Sequence, residues 1–182
     1  MDYQKIIDKY YPLDNEQRRI YMTHARKVAD LALEISRRNP ELGADNLFIE
    51  EAAMMHDLGM FLVDAPRIHC FGKAPYICHG YLGANLLREL GFERHALVCE
   101  RHTGTGLSKE LIAKEGWPLP QRDMMPQSIE EQIICFADKF YSKTKFLEVA
   151  RTMEQVEESM RKISEDSLAK IRHWAVLVGE KN

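Results

Sequence analysis

The chain has 182 residues and a formal net charge of −3, with 45% hydrophobic and 29% charged side chains. This length and apolar content predict a single domain with a substantial buried core, and the small net charge gives no reason to expect a nucleic-acid polymer as a partner. No apolar run approaches the roughly 20 residues of a membrane span, and the first residues lack the basic-then-apolar pattern of a signal peptide, so we expect a cytoplasmic protein without a membrane anchor.

The N-terminal half of the chain is mostly helical in its sequence pattern. A short helix is predicted over about residues 2–10, and a long one over about residues 15–38. A third helix follows, with either Asp45 or Asn46 as its N-cap. Residues 59–75 contain two glycines and two prolines and are predicted to be irregular.

The C-terminal half continues the helical pattern. One helix is predicted over about residues 75–90, and another over the stretch "FERHALVCERHT". A further helix begins at Ser128, which matches a capping box with Glu131. After Lys143 the pattern indicates one or two amphipathic helices, with predicted core contacts at Phe146, Leu147, Val156, Met160, Ile163 and Trp174. Because no strong strand pattern, repeat or low-complexity segment interrupts these helices, we predict an all-α fold with a compact helical bundle as its architecture.

Five of these helical segments each place one ionisable side chain, or an adjacent pair, on or beside an apolar stripe. Burying such groups is costly unless they are hydrogen-bonded, paired or bound to a metal. A metal site satisfies all of them at once, and imidazole combined with carboxylate suits Mn, Fe, Co, Ni or Zn rather than Ca²⁺ or Mg²⁺. The six residues are His24, His56, Asp57, His79, His102 and Asp138.

The number of ligands favours two metal ions over one. Four imidazoles and two carboxylates are too many for one tetrahedral ion that must also hold water, and they suit two ions that share a carboxylate. His56 and Asp57 are neighbours, and neighbouring helical residues point about 100° apart. At the end of a helix, with Gly59 freeing the backbone, both can converge on one centre, and Asp57 can reach an ion with each of its oxygens. A structural zinc site built on Cys99 and His102 is an alternative, but it leaves both aspartates unexplained.

The order of these residues, together with "MMHDLG", resembles the HD-domain metal-dependent phosphohydrolase superfamily. The resemblance covers about residues 20–145. It implies an all-helical core in which the ligands of a first metal are His24, His56, Asp57 and Asp138. It also implies that His79 and His102 complete a second site, with Asp57 bridging, and that His56 and Asp57 form the catalytic pair.

The same resemblance sets the domain organisation and the metals that we expect. Residues 1–182 would form one HD domain, with its core at about 20–145 and a C-terminal helical extension at about 146–182. Two divalent transition-metal ions would be bound, either Fe, Mn, Co or Ni, with Zn as a further option. The amphipathic tail could support a homodimer.

The chain departs from the family pattern at Met60. Many dinuclear members have a lysine there, in the manner of "HD-x-G-K", which helps to hold substrate phosphate. We therefore expect another cation to replace it, with Arg67 and Lys73 the nearest in sequence. Each of these is also compatible with an exposed surface charge. Three further residues are candidate substrate contacts, namely His69, Arg101 and Lys139.

The leading functional hypothesis is hydrolysis of a phosphate ester of a nucleotide or related small metabolite, by a phosphomonoesterase or phosphodiesterase that uses a dinuclear metal-activated water. Its partner would be a small phosphorylated substrate. A di-iron oxygenase of the HD type is the first alternative, because the ligand set does not separate the two classes. A non-catalytic metal- or metabolite-binding module is the second.

Overall fold

The computed structural model describes residues 1–179. Their α-helices, numbered in chain order, are α1 (Tyr3–Tyr10), α2 (Glu16–Arg38), α3 (Asn46–Met55), α4 (His79–Glu89), α5 (Glu93–Arg101), α6 (Lys109–Glu115), α7 (Ile129–Asp138), α8 (Met153–Arg161) and α9 (Glu165–Leu177). Two two-residue strands, β1 (Asp64–Ala65) and β2 (Cys70–Phe71), pair antiparallel. The predicted all-α fold is confirmed.

Polar N-caps explain where several of these helices begin. The Asp45 carboxylate accepts the backbone N–H of Phe48, so Asp45 and not Asn46 caps α3. At α7 the predicted capping box is only half formed. Ser128 Oγ accepts the Glu131 N–H at 3.2 Å, but the Glu131 carboxylate accepts from the backbone N–H of Gln127 instead of from that of Ser128.

Several helices pack so that one end of each lies near α2. Helix α2 packs against α3 and α7, while α5 packs against α3, α4 and α7. A 3₁₀ helix at Leu58–Leu62 continues from α3 and lies against α4. The last turns of α3, α5 and α7 and the first turn of α4 therefore converge near the middle of α2.

The segment predicted to be irregular, residues 59–75, contains the two short strands, the 3₁₀ helix Pro66–Ile68 and all but the first residue of the 3₁₀ helix Leu58–Leu62. It includes the one non-glycine residue of the described chain with positive φ, His69 (φ 56°). No helix within residues 1–179 is long and apolar enough to cross a membrane. Cytoplasmic location and a homodimer stay predictions.

The C-terminal helices α8 and α9 pack against each other, and α9 also packs on α7. Of the predicted core contacts, Leu147, Val156, Met160 and Trp174 are buried. Phe146 is only partly buried. Ile163 is 53% exposed, so its predicted core role is wrong, because it lies in the turn between α8 and α9. The division into core and extension stays a prediction, and its residues 180–182 lie outside the described part.

Candidate metal centre

The six predicted metal ligands all lie at one buried position in the bundle. Only His24 comes from the middle of a helix. The others stand at helix ends, where the backbone can leave the helical path. His56 and Asp57 follow α3, His79 opens α4, His102 follows α5 and Asp138 is the last residue of α7. All six side chains are buried.

The backbone orients three of the imidazoles. In His56, His79 and His102, Nδ1 lies 2.6–2.7 Å from the carbonyl oxygen of the residue three positions earlier. Because a carbonyl oxygen can only accept, the proton of each neutral ring is on Nδ1, and the Nε2 lone pair is free. This is the arrangement in which histidine binds a metal through Nε2 while Nδ1–H is held by a second group.

Asp57 lies between two pairs of histidines. Its Oδ2 atom is 3.2 Å from His24 Nε2 and 3.1 Å from His56 Nε2. Its Oδ1 atom is 3.3 Å from His79 Nε2 and 3.4 Å from His102 Nε2. Each carboxylate oxygen therefore faces a different pair of imidazole nitrogens.

The distances between donor atoms fit a metal site. The Nε2 atoms of His24 and His56 are 3.3 Å apart, and those of His79 and His102 are 3.0 Å apart. Asp138 Oδ1 is 3.0 Å from His24 Nε2 and 3.5 Å from His56 Nε2. With metal–ligand bonds of about 2.0–2.2 Å, two ligands of one ion at right to tetrahedral angles lie about 2.9–3.5 Å apart. The donor set is thus one that could hold divalent metal ions.

Polar atoms without hydrogen-bond partners at the centre also favour a metal site. Both Asp57 oxygens are buried, and neither accepts a hydrogen bond of regular geometry from residues 1–179. Lys143 Nζ lies 2.7 Å from Oδ2 as an ion pair. Burial disfavours the charged carboxylate, yet Lys143 and His56 hold the pKa of Asp57 well below its usual range. A buried carboxylate that stays ionised without hydrogen bonds is suited to binding a cation.

The imidazoles differ in their proton affinity. Burial disfavours the charged ring of His56, but Asp57 and Asp138 outweigh this and raise its pKa to about 9. Burial lowers the pKa of His79 to about 3, and it also lowers that of His102. His79 and His102 are therefore neutral at pH 7 and able to bind metal, whereas His56 must first lose a proton.

Two lysines each pair with one of the carboxylates. Lys139 Nζ lies 2.6 Å from Asp138 Oδ2 and donates to the carbonyl oxygen of His102 at 3.0 Å. The sequence analysis named Lys139 as a candidate substrate contact but missed Lys143, whose ammonium contacts Asp57. Burial opposes its charge, but Asp57 raises the pKa of Lys143 above its usual range. Its place in "DKFYSK", just after the predicted ligand Asp138, was the available signal.

The other predicted substrate contacts lie outside this centre. Arg67 and Lys73 are exposed and form no hydrogen bond or ion pair through their side chains with the rest of residues 1–179. His69 is exposed and lines a surface pocket of about 430 Å³ that includes Tyr10 but none of the six ligands. Arg101 pairs with Glu131 of α7. Their roles in substrate binding stay predictions.

Comparison with known proteins shows the family to which the chain belongs. The model of the HD domain family matches residues 21–142. An uncharacterized protein of Methanocaldococcus jannaschii is 31% identical over 165 residues, which cover 89% of this chain and 88% of that protein. The chain belongs to the HD domain family. The family membership predicted from the motif is confirmed.

Solved HD domains share the fold. The HD domain of the L. monocytogenes phosphodiesterase PgpH superimposes with a TM-score of 0.53 at 19% identity, over 98% of both chains. The same domain in complex with cyclic-di-AMP gives a TM-score of 0.51 at 20% identity, over 98% of this chain and 96% of that one. The HD-domain bundle predicted from the sequence is therefore confirmed.

Two further relatives are considerably longer than this HD domain. A tRNA (cytidine(56)-2'-O)-methyltransferase of Thermoplasma volcanium is 26% identical over 87% of this chain but only 43% of its own length. Another, of Picrophilus torridus, is 27% identical over 76% of this chain and 36% of its own length. The chain spans less than half of each.

Proposed function

We propose that this HD domain is a metal-dependent phosphohydrolase that cleaves a phosphate ester of a nucleotide or related small metabolite with two divalent transition-metal ions. Water adds to phosphorus, the ester P–O bond breaks, and the products are phosphate, or a phosphomonoester, and a free hydroxyl. Family membership supports the reaction class. The complex of the PgpH domain with cyclic-di-AMP supports a phosphorylated small molecule as the ligand.

Asp57 is the observation that carries the proposal of two ions. Its two oxygens face two separate pairs of imidazole nitrogens at 3.1–3.4 Å, which is the arrangement a bridging carboxylate needs. His24, His56 and Asp138 would complete one site and His79 and His102 the other. The second site would have fewer protein ligands, and this leaves positions for water and for phosphate oxygens.

The protein's own residues would prepare the site for this chemistry. The carbonyl oxygens that hold Nδ1–H of His56, His79 and His102 fix the rings, so that Nε2 faces the centre before any ligand arrives. Lys139 occupies Asp138 Oδ2 and leaves Oδ1 toward His24. When bound, two divalent ions supply an activated water and neutralise charge that develops on the phosphoryl oxygens.

A substrate screen tests the function directly. Purified protein, stripped with a chelator and reloaded with Mn²⁺, Co²⁺, Ni²⁺ or Fe²⁺, is assayed against nucleotides, cyclic dinucleotides and sugar phosphates, with and without oxygen. We expect phosphate-ester hydrolysis that is independent of oxygen and lost in Asp57→Ala. Turnover only with iron and oxygen would place the protein among the HD-type oxygenases instead. No turnover under any metal loading would favour a binding module.

A further inference from the structure

Lys143 lies at the centre but has no place in the ligand set. Its Nζ atom is 2.7 Å from Asp57 Oδ2 and 5.9 Å from the ring centroid of Tyr76, and its side chain is 10% exposed. The Tyr76 ring stacks on His79, with centroids 4.6 Å apart. The ammonium therefore lies beside the proposed bridging carboxylate, next to an aromatic ring that covers one of the metal-binding imidazoles.

The two lysines at the centre differ in how firmly they are held. Lys139 has a backbone partner, the carbonyl oxygen of His102, in addition to Asp138. Within residues 1–179, Asp57 is the one ion-pair partner of Lys143, and no backbone carbonyl accepts from its ammonium. If metal ions take both oxygens of Asp57, Lys143 loses that partner and is repelled by their charge. A mostly buried ammonium without an anion is costly, so it then needs a new anionic partner.

The other cations near the site do not supply a free positive charge. Met60, at the position where many relatives carry lysine, is an apolar side chain that is completely buried. Arg101 is committed to Glu131, and Lys139 to its two partners. Arg67 and Lys73 are exposed on the segment after Met60 and form no hydrogen bond or ion pair with the six predicted ligands. Of the cations in residues 1–179, this leaves Lys143 as the one that lies at the centre and whose one anionic partner is the proposed bridging carboxylate.

We propose that Lys143 is the phosphate-binding cation of this site, in place of the lysine that Met60 replaces. In the metal-free protein it neutralises Asp57. In the metal-loaded protein it turns to a non-bridging oxygen of the phosphoryl group, with Tyr76 beside it. The inference rests on the proposed function, because it supplies a phosphate contact to a phosphohydrolase.

Binding of inorganic phosphate tests the proposal without any substrate. Wild type, Lys143→Met and Lys143→Arg are loaded with Mn²⁺, freed of excess metal and titrated with phosphate by calorimetry, and their metal content is measured by elemental analysis. Lys145→Met is the matched control, because Lys145 is exposed and lies against Phe146. We expect Lys143→Met to keep two ions and to bind phosphate roughly 10–100-fold more weakly. Lys143→Arg should stay within a few-fold of wild type.

The metal content distinguishes the outcomes. Unchanged phosphate affinity in a fully loaded Lys143→Met protein would overturn the proposal. Loss of metal from that variant would also overturn it, since Lys143 would then support the ligands and not the phosphate. A wild-type protein that binds phosphate through Lys143 yet hydrolyses no phosphate ester would leave this inference standing and refute the proposed function.

Discussion

Gly59 and Gly83 lie backbone to backbone, at the contact that joins the 3₁₀ helix Leu58–Leu62 to α4. A Cβ atom on Gly59 would lie 2.3 Å from both Gly83 N and the carbonyl oxygen of His79. Gly59 does not have a positive φ. The expectation that it frees the backbone therefore does not describe its role, which is to permit the close approach of two segments that carry Asp57 and His79.

This contact predicts a large effect of one methyl group. Gly59→Ala must push the 3₁₀ helix away from α4, at a cost of about 3 kcal/mol in unfolding free energy, and should also weaken metal binding. Gly43→Ala is the control, because nothing lies within 4 Å of its Cβ position and only the penalty of its positive φ, about 1 kcal/mol, applies. Urea denaturation and elemental analysis measure both effects. Equal destabilisation by the two variants would contradict the close-approach role.

Asp57 is predicted to be required for both metal ions. Because each of its oxygens faces a different pair of histidines, Asp57→Ala should remove both ions and abolish turnover, whereas His102→Ala should mainly deplete the second. The exposed His173 provides the control, since His173→Ala should keep wild-type metal content. Elemental analysis of the dialysed proteins gives the number of metal ions per chain. An Asp57→Ala protein with two ions per chain would exclude the bridge.

The helices, and the meeting of the six predicted ligands at one place, could be predicted from the sequence because both leave local patterns in it. Asn15 and Asp45 cap helices through contacts with residues a few positions away, and the predicted ligands lie on or beside the apolar stripes of their helices. Glu131 shows the limit of such patterns. It fits a capping box locally, but its carboxylate is drawn to Arg101 on another helix, and this tertiary ion pair prevails.

Lys143 shows the same limit. Nearness in the chain to Met60 favoured Arg67 and Lys73 as predicted substrate contacts, and both are exposed. Lys143 is far from Met60 in sequence and comes within reach of Asp57 because α7 ends at Asp138, beside His24 of α2, shortly before Lys143. Its place in "DKFYSK" puts it near Asp138 in the chain, but no period or motif records the contact with Asp57. Only the packing of the helices creates it.

The raised pKa of His56 predicts that metal binding depends on pH. Because its pKa is about 9 in the metal-free fold, above the usual 6.5, His56 is protonated at pH 7, and a metal must displace that proton. Apparent affinity for Mn²⁺ should rise about tenfold per pH unit between pH 6.5 and 8. Calorimetry in buffers with different ionisation enthalpies should show release of about one proton. Binding without proton release at pH 7 would contradict a protonated His56.

The same shift predicts how the stability of the metal-free protein varies with pH. A group whose pKa is higher in the folded than in the unfolded protein stabilises the fold fully at pH values below its unfolded pKa, which is about 6.5 for histidine. This stabilisation is lost as the pH rises through the pKa of the folded protein. Chelator-treated protein should therefore unfold at lower urea concentration at pH 9.5 than at pH 7. Metal-loaded protein, whose His56 is already neutral, should show a smaller decrease. Identical pH dependence with and without metal would contradict this origin.

The ion pair of Arg101 with Glu131 predicts a structural effect that can be separated from substrate binding. Arg101 Nη1 lies 3.1 and 3.0 Å from the two carboxylate oxygens, and the side chains are only 15% and 7% exposed. Arg101→Met leaves a nearly buried carboxylate without its cation and should lower the unfolding free energy by about 2–4 kcal/mol. Arg19→Met, which breaks the exposed pair with Glu16, should leave the unfolding free energy almost unchanged.

Kinetics of the same variant decide between the two roles of Arg101. If its guanidinium only joins α5 to α7, then kcat/KM of the folded, metal-loaded Arg101→Met enzyme should stay within about threefold of wild type at a temperature well below its Tm. If Arg101 also contacts the substrate phosphate, kcat/KM should fall roughly 10–100-fold, in keeping with the loss of a charged hydrogen bond. A large kinetic loss with little change in stability would show that Arg101 serves the substrate and that the pair with Glu131 is secondary.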